Sequence, residues 1–219
     1  MRAVIFDFDY TLADATRGIV DCFRHAQESI GFPPPAEEDI IRTVGYPLEV
    51  MHEMLTGDTD PARARTVREA FLEMAADYMT ANTRILPDTA DVLAFLKRKG
   101  LSLGVVTSKR HARIEEFFRR EGLYDLLTLI VGADDVTREK PDPEGLLSAM
   151  EAMGVTSAEA VYVGDSLVDA ETARRAGCPF IAVTTGGASA EEFPPYHPRA
   201  VLSRLKELPA LLFPEEFSP

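Results

Sequence analysis

Residues 4–14 read VIFDFDYTLAD, and this stretch decides how the rest of the chain is to be understood. Val4, Ile5 and Phe6 are apolar and β-prone, as a central strand requires. Asp7 and Asp9 follow, one residue apart. Side chains alternate along an extended chain, so residues i and i+2 point the same way. The strand therefore ends by setting two like charges side by side. Tyr10 comes next, where such a chain must turn sharply. A bulky aromatic disfavours a backbone with positive φ, so an ordinary turn is expected there.

Outward from this strand, one grammar repeats from Arg84 onward. Amphipathic segments end in a basic or small residue plus Gly, and a short apolar run follows: LKRKG then LSLGVVT, FFRREG then LYDLLTLIV, SAMEAMG then AVYVGD, TARRAG then CPFIAVTT. Apolar runs alternating with helices predict βαβ units and a parallel sheet covered on both faces. The expected fold is α/β, a doubly wound parallel sheet. Residues 15–83 break the grammar with helical patterns and no strand. In DPARARTVREAFLEMAADYMTAN, Asp60 can cap, Pro61 suits the first helical position, and Val67, Phe71, Met74 and Tyr78 form one stripe. The expected organisation is an α/β core (1–14 and 84–219) with a small helical domain (15–83) inserted after the first strand. Its connections, near Ala13–Thr16 and Thr83–Pro87, would act as a hinge pair. FPPYHP (193–198) is expected to be a rigid surface loop before a last short helix.

Composition narrows the function classes. The chain has 219 residues, enough for a sizeable core, and a net charge of -13 without a long basic run. A nucleic acid or an anionic membrane is thereby excluded as a general partner. No apolar run approaches the roughly 20 residues of a membrane span. The N-terminus enters a strand carrying Asp7, unlike a signal peptide. Cys22 and Cys178 form neither a metal cluster nor a disulfide framework, and are expected as reduced thiols in a cytoplasmic protein.

In open α/β sheets ligands bind beyond the carboxyl ends of the strands. The first strand delivers Asp7 and Asp9 there, and LSLGVV delivers Thr107 and Ser108, followed by Lys109 and Arg110. Lys140 follows the next run, in REKPDP, and AVYVG ends in Asp165, with Asp169 four residues on. Each piece alone has an ordinary explanation: Asp142 and Pro143 suit a helix start, and Asp165 could cap the helix after it. Together they gather carboxylates that repel one another unless a cation compensates. A hard divalent ion such as Mg²⁺, with Lys140, would do so.

DFDYTLAD, the Thr107 strand end, Lys140 in KPDP and GDSLVD (164–169) resemble, in order, the four motifs of haloacid dehalogenase superfamily phosphatases. The similarity covers essentially the whole chain and is nearest to the phosphoglycolate phosphatase-like branch, whose helical cap follows the first motif. The resemblance implies that Asp7 is a nucleophile forming an aspartyl-phosphate and that Asp9 is the acid/base. It implies Mg²⁺ held by Asp7, the Asp9 carbonyl and Asp165, with Thr107 and Lys140 stabilising the phosphoryl group. Asp169 would sit behind them, holding Lys140 or a metal-bound water. On this reading Asp7, near the metal and Lys140, stays ionised, while Asp9, facing like charges with only its carbonyl on the metal, has its pKa raised.

Asp9 also bears on reaction type, because the dehalogenases of this superfamily lack that second acid. Thr11, Ser108, Arg17, Gly45, Tyr46 and Tyr10 are candidate substrate contacts, as are Arg42 and Arg84; TVGYPLE (43–49) lies where relatives carry a specificity loop. Relatives usually have Gly at the position of Tyr10, whose ring is expected at the cap–core seam. The expected partner is a small phosphorylated metabolite, phosphoglycolate first, and the expected assembly a monomer or homodimer. Other phosphohydrolases, a non-catalytic phospholigand-binding module and a receiver domain are the rival readings.

Overall fold

β1 (Ala3–Phe6) is fully buried on both sides, which explains its uninterrupted apolar sequence. Val4 and Phe6 pack into one hydrophobic cluster, while Ala3 and Ile5 pack into another on the opposite face. In the computed structural model, which describes residues 1–217, a two-residue strand β2 (Ala13–Asp14) follows. Four helices come next: α1 (Thr16–Ser29), α2 (Glu37–Thr43), α3 (Leu48–Thr56) and α4 (Pro61–Tyr78). The chain then returns through β3 (Arg84–Ile85) and alternates α5 (Thr89–Arg98), β4 (Ser102–Val106), α6 (His111–Arg120) and β5 (Leu129–Val131). After these come α7 (Glu144–Ala152), β6 (Ala160–Gly164), α8 (Leu167–Ala176), β7 (Phe180–Val183), β8 (Ala200–Leu202) and α9 (Leu208–Leu212).

Six strands form one sheet in the order β5-β4-β1-β6-β7-β8, every pair parallel. This is the expected doubly wound α/β fold, with one strand more than the sequence patterns indicated. β8 escapes notice because it is short, its Val201 is exposed, and it follows a proline-rich stretch. FPPYHP itself is not wholly a surface loop: Phe193 is fully buried against the sheet cluster. Phe6 pairs with both Val105 and Val163. Carried one residue on, that register sets Asp7 beside Val106 and Gly164, one step short of Thr107 and Asp165.

The four helices of residues 16–78 have their own core, including Ile19, Phe23, Ile40, Met51, Val67 and Phe71. Asp60 caps α4 by accepting the Ala62 N–H at 2.8 Å, with Pro61 in the first turn. The buried stripe of α4 runs through Ala64, Val67, Phe71 and Ala75; Met74 and Tyr78 flank it instead of lying at its centre. The two connections to the core are not independent linkers. β2 and β3 pair antiparallel, Ala13 with Ile85 and Asp14 with Arg84. Arg120 of α6 also donates to the Thr80 and Thr83 carbonyls, so the core grips the returning segment.

Tyr10 overturns the expectation drawn from its bulk: its φ is +57°. The turn needs that conformation because Tyr10 N–H bonds the Ala13 carbonyl at 2.7 Å while Leu12 and Ala13 N–H both return to Phe8. A left-handed conformation costs a residue with a Cβ roughly 1–2 kcal/mol. Burial of the ring, which is only 4% exposed, offsets that at about 1.5–3 kcal/mol. The hydroxyl lies 3.3 Å from Thr16 Oγ1 at the start of α1, and the Tyr10 carbonyl accepts from Thr185 Oγ1. Tyr10 therefore packs where the chain leaves the sheet for α1.

Candidate active site

Lys140 stands at the centre of the strand-end cluster, 5% exposed. Its ammonium donates to Asp7 Oδ1 at 2.6 Å, Asp169 Oδ1 at 2.7 Å and the Tyr162 hydroxyl at 3.3 Å. Each partner comes from a different element: the end of β1, the first turn of α8, and β6. Asp142, just after it, accepts the Glu144 N–H at 3.0 Å and so begins α7. Ser166, not Asp165, caps α8: its hydroxyl accepts the Asp169 N–H, and the Asp169 carboxylate accepts from Ser166 N and Oγ at 3.1 and 2.6 Å.

Asp7, Asp165 and Asp169 can bring one carboxylate oxygen each within 4.8 Å of one another. They are 6%, 3% and 0% exposed, so solvent does little to screen their repulsion. Three carboxylates against one ammonium leave two negative charges, which a divalent cation would neutralise. Asp169 already spends Oδ1 on Lys140 and Oδ2 on Ser166, so an ion falls to Asp7 and Asp165. Asp165 is seated accordingly. Thr11 Oγ1 donates to its Oδ1 at 3.1 Å, and a Cβ on Gly186 would lie 1.8 Å from its Oδ2. Only glycine lets that backbone approach. The hard oxygen donors, the charge deficit and this cradle all fit Mg²⁺.

The electrostatics follow from burial. Desolvation, reinforced by Asp169 and opposed by Lys140, pushes the Asp7 carboxyl up to about 7. Burial, then Asp169 and Asp7, raises Asp165 well above the usual carboxylate range. Burial also works against the Lys140 charge, but Asp169 and Asp7 outweigh it, and its pKa rises. Asp9 is raised by burial against the opposing Lys109 ammonium, which lies 3.1 Å from Asp9 Oδ2. Among the described residues, the other oxygen, Oδ1, is buried with no hydrogen-bond partner. The expectation of an ionised Asp7 concerns a site that holds a metal; with protein groups alone, burial raises Asp7 as well as Asp9.

Of the remaining candidates, Thr107 is buried beside the site and its Oγ1 accepts the Lys109 N–H at 3.2 Å, leaving its proton free to donate. Ser108 Oγ donates to the Gly45 carbonyl at 3.3 Å, which ties the 43–49 loop to the core. Gly45 has φ +105°, and a Cβ there would come within 3.0 Å of Ser166 Oγ. Gly45, Tyr46 and Ser108 line a cavity of about 340 Å³ between the helical block and the sheet, together with Asp9. Thr11 and Tyr10 face inward instead, Thr11 holding Asp165 and Tyr10 packing beside the start of α1. Arg17 is 70% exposed and pairs with Asp21 at 3.8 Å; neither it, Arg42 nor Arg84 lines the cavity.

Arg68, Arg113 and Tyr162 are contributors that the sequence patterns did not single out, and those patterns place Lys109 at the strand end without a role. Lys109 was legible, two residues beyond Thr107 at the same strand end. Tyr162 reads as core, and only the fold brings its hydroxyl 2.9 Å from Asp169 Oδ1.

A parallel sheet with paired acids beyond its central strand, and a buried lysine bridging two carboxylates, makes a doubly wound α/β protein with its charged site at the strand carboxyl ends. The chain belongs to the haloacid dehalogenase-like hydrolase family, whose model matches residues 4–183. A solved structure of a haloacid dehalogenase-like hydrolase from Bacteroides fragilis is 42% identical, with a TM-score of 0.91 over 95% of this chain and 100% of that one. Phosphoglycolate phosphatase of Neisseria meningitidis (serogroup A) is 32% identical over 85% of this chain and 81% of its own. That of Escherichia coli K12 is 29% identical over 98% and 94%. Among the described residues no helix is long and apolar enough to cross a membrane.

Proposed function

We propose that this hydrolase is a Mg²⁺-dependent phosphatase that cleaves a small phosphomonoester through a phosphorylated Asp7. The observation that carries the reading is the Lys140 ammonium 2.6 Å from Asp7 Oδ1, in a buried cluster short of two positive charges. Lys140 favours the ionised, nucleophilic form of Asp7 and attracts a phosphoryl group to it. Bound by Asp7 and Asp165, Mg²⁺ would offset charge on the phosphoryl oxygens. The free Thr107 proton donates to one of those oxygens. Asp9 faces the cavity, where the departing alkoxide would lie, and protonates it; it then takes a proton from the water that attacks the acyl phosphate.

Residues 15–83 serve as a cap, with the β2–β3 ribbon as its hinge and the loop at Gly45 closing on Ser108 and Ser166. Phosphoglycolate, named for the Neisseria and Escherichia relatives, is the reference substrate. The expected setting is the cytoplasm, where Cys22 and Cys178 would stay reduced. The direct test is hydrolysis of 4-nitrophenyl phosphate, expected with Mg²⁺ and lost with chelator; activity indifferent to chelator would overturn the metal dependence.

Asp9→Asn separates proton transfer from attack. An alkyl phosphate needs its leaving oxygen protonated, so kcat should fall about 10²–10⁴-fold. 4-Nitrophenolate leaves unprotonated, so its phosphorylation of Asp7, read as a pre-steady-state burst, should fall far less. An equal loss for both esters in that step would refute the acid role.

Metal binding should also stabilise the fold in a pH-dependent way. Asp7 has a folded pKa of about 7 against an ordinary value of 3.8. The protonated form is therefore the stable one in metal-free protein, and that contribution is lost as pH rises from about 4 through 7. Mg²⁺ competes with this proton, so its stabilising effect grows over the same window. At Mg²⁺ near 100 Kd at pH 8, Tm should rise by about 5–11 °C, and much less at pH 5. A shift independent of pH would contradict the assignment of the ion to Asp7.

A further inference from the structure

The 340 Å³ cavity is lined by Asp9, Ser108 and Lys109 from the core, but by neither Asp7, Lys140 nor Asp165. It is therefore the chamber of the leaving group and not that of the phosphoryl group. Glycolate has five non-hydrogen atoms; at a water's share of about 30 Å³ each they fill roughly 150 Å³, less than half of it. The volume lies instead in the range of roughly 300–1,000 Å³ that encloses much larger ligands.

Its wall has a definite chemistry. Ile19, Met51, Phe71, Leu72, Ala75 and Met79 present an apolar face from the helical block. Water held against such a face gains little, and an apolar group that displaces it binds well. The charged residues are mostly matched in place: Lys109 with Asp9, Arg110 with Asp134 at 3.5 Å, and Arg68 with Glu49 and Glu139 at 3.5 and 3.9 Å. Arg113 is the exception. Among the described residues it forms no ion pair, and its guanidinium donates to the Ala76 carbonyl at 3.4 Å. Burial pushes its pKa down, more than the neighbouring acids Glu116 and Asp77 push it up.

We propose that the preferred substrate is a phosphomonoester whose alcohol is larger than glycolate, of about ten non-hydrogen atoms, with an apolar body against the Ile19–Phe71–Met79 wall and an anionic end at Arg113. The inference rests on the phosphatase reading above and deepens it. Asp9 protonates the ester oxygen, the hydrocarbon lies against the apolar wall, and Arg113 pairs with the anionic end.

The test is a series of ω-carboxyalkyl phosphates with two, four, six and eight carbons, and the same chains ending in methyl, assayed with Mg²⁺. An apolar pocket gains about 10-fold or more per well-placed methylene at best. Across four added methylenes kcat/KM should rise at least tenfold over phosphoglycolate. Arg113→Gln should reduce the preference for the carboxylate-ended six-carbon ester over its methyl-ended partner by about tenfold. Ala75→Leu, which narrows the chamber, should lower the ratio of the six-carbon to the two-carbon rate. A kcat/KM that is highest for phosphoglycolate and falls with length overturns the inference and leaves the phosphatase reading intact. A carboxylate preference unchanged in Arg113→Gln overturns the anionic end. No hydrolysis of any member, nor of 4-nitrophenyl phosphate, overturns both readings together.

Discussion

Asp7→Asn is expected to lower kcat by about 10⁴–10⁶-fold, the loss that follows removal of an enzyme nucleophile. An amide oxygen has neither the charge nor the basicity to displace an alkoxide from phosphorus. Asparagine is nearly isosteric with aspartate, so the packing beyond β1 should survive. The metal-free fold should not lose stability at pH 8, because the substitution removes a buried carboxylate whose ionisation burial already opposes. The Mg²⁺-induced rise in Tm should shrink at the same time, since one of the two carboxylates assigned to the ion is gone. Activity, circular dichroism and thermal melts on one preparation check all three. Retention of more than about a hundredth of the wild-type rate would show that another group attacks the ester.

Lys140→Met should damage fold and activity together. Lys140 is the only ammonium bonded to Asp7 and Asp169 among the described residues, and removing it leaves both acids buried with an uncompensated charge. Breaking a buried pair in this way costs about 3–5 kcal/mol. For a chain of this size that corresponds to a Tm lower by about 6–20 °C at neutral pH. The loss should be smaller near pH 5, where protonation removes the charge on Asp7. Mg²⁺ should restore part of the Tm, because it supplies positive charge to Asp7. It should not restore kcat, which is expected to fall about 10²–10³-fold with the loss of a preorganised cation beside the phosphoryl group. Calorimetry with and without Mg²⁺ separates the two effects. An unchanged Tm would mean that the three carboxylates are not the electrostatic burden that their burial implies.

The parts of this molecule legible in its sequence are those where one local rule decides the outcome. The apolar run before Asp7, the βα grammar and the Asp60–Pro61 helix start all rest on local rules of that kind. The convergence of Asp7, Thr107, Lys140 and Asp165 was legible because strand carboxyl ends in a parallel sheet share one edge.

What stayed hidden depends on contacts between segments distant in sequence. Tyr10 adopts φ +57° because its ring is buried and its backbone is bonded to Ala13, neither of which a local preference can register. The β2–β3 ribbon pairs Asp14 with Arg84, distant in sequence, through strands too short to show alternation. Arg113 looks like any basic residue on an amphipathic helix until the helical block closes over it, whereas the more obvious Arg17 is left in solvent. The cavity between the helical block and the sheet is thus a property of two surfaces meeting, and no stretch of sequence contains it.

The central claim is that the phosphoryl group passes through Asp7 before it reaches water. Each in-line displacement inverts phosphorus, so two successive displacements restore the original configuration. Hydrolysis by the Mg²⁺-loaded enzyme of a substrate made chiral at phosphorus with oxygen isotopes and sulfur measures this directly. Net retention of configuration is the predicted result; net inversion would mean that water attacks the ester itself, and would contradict the role assigned to Asp7.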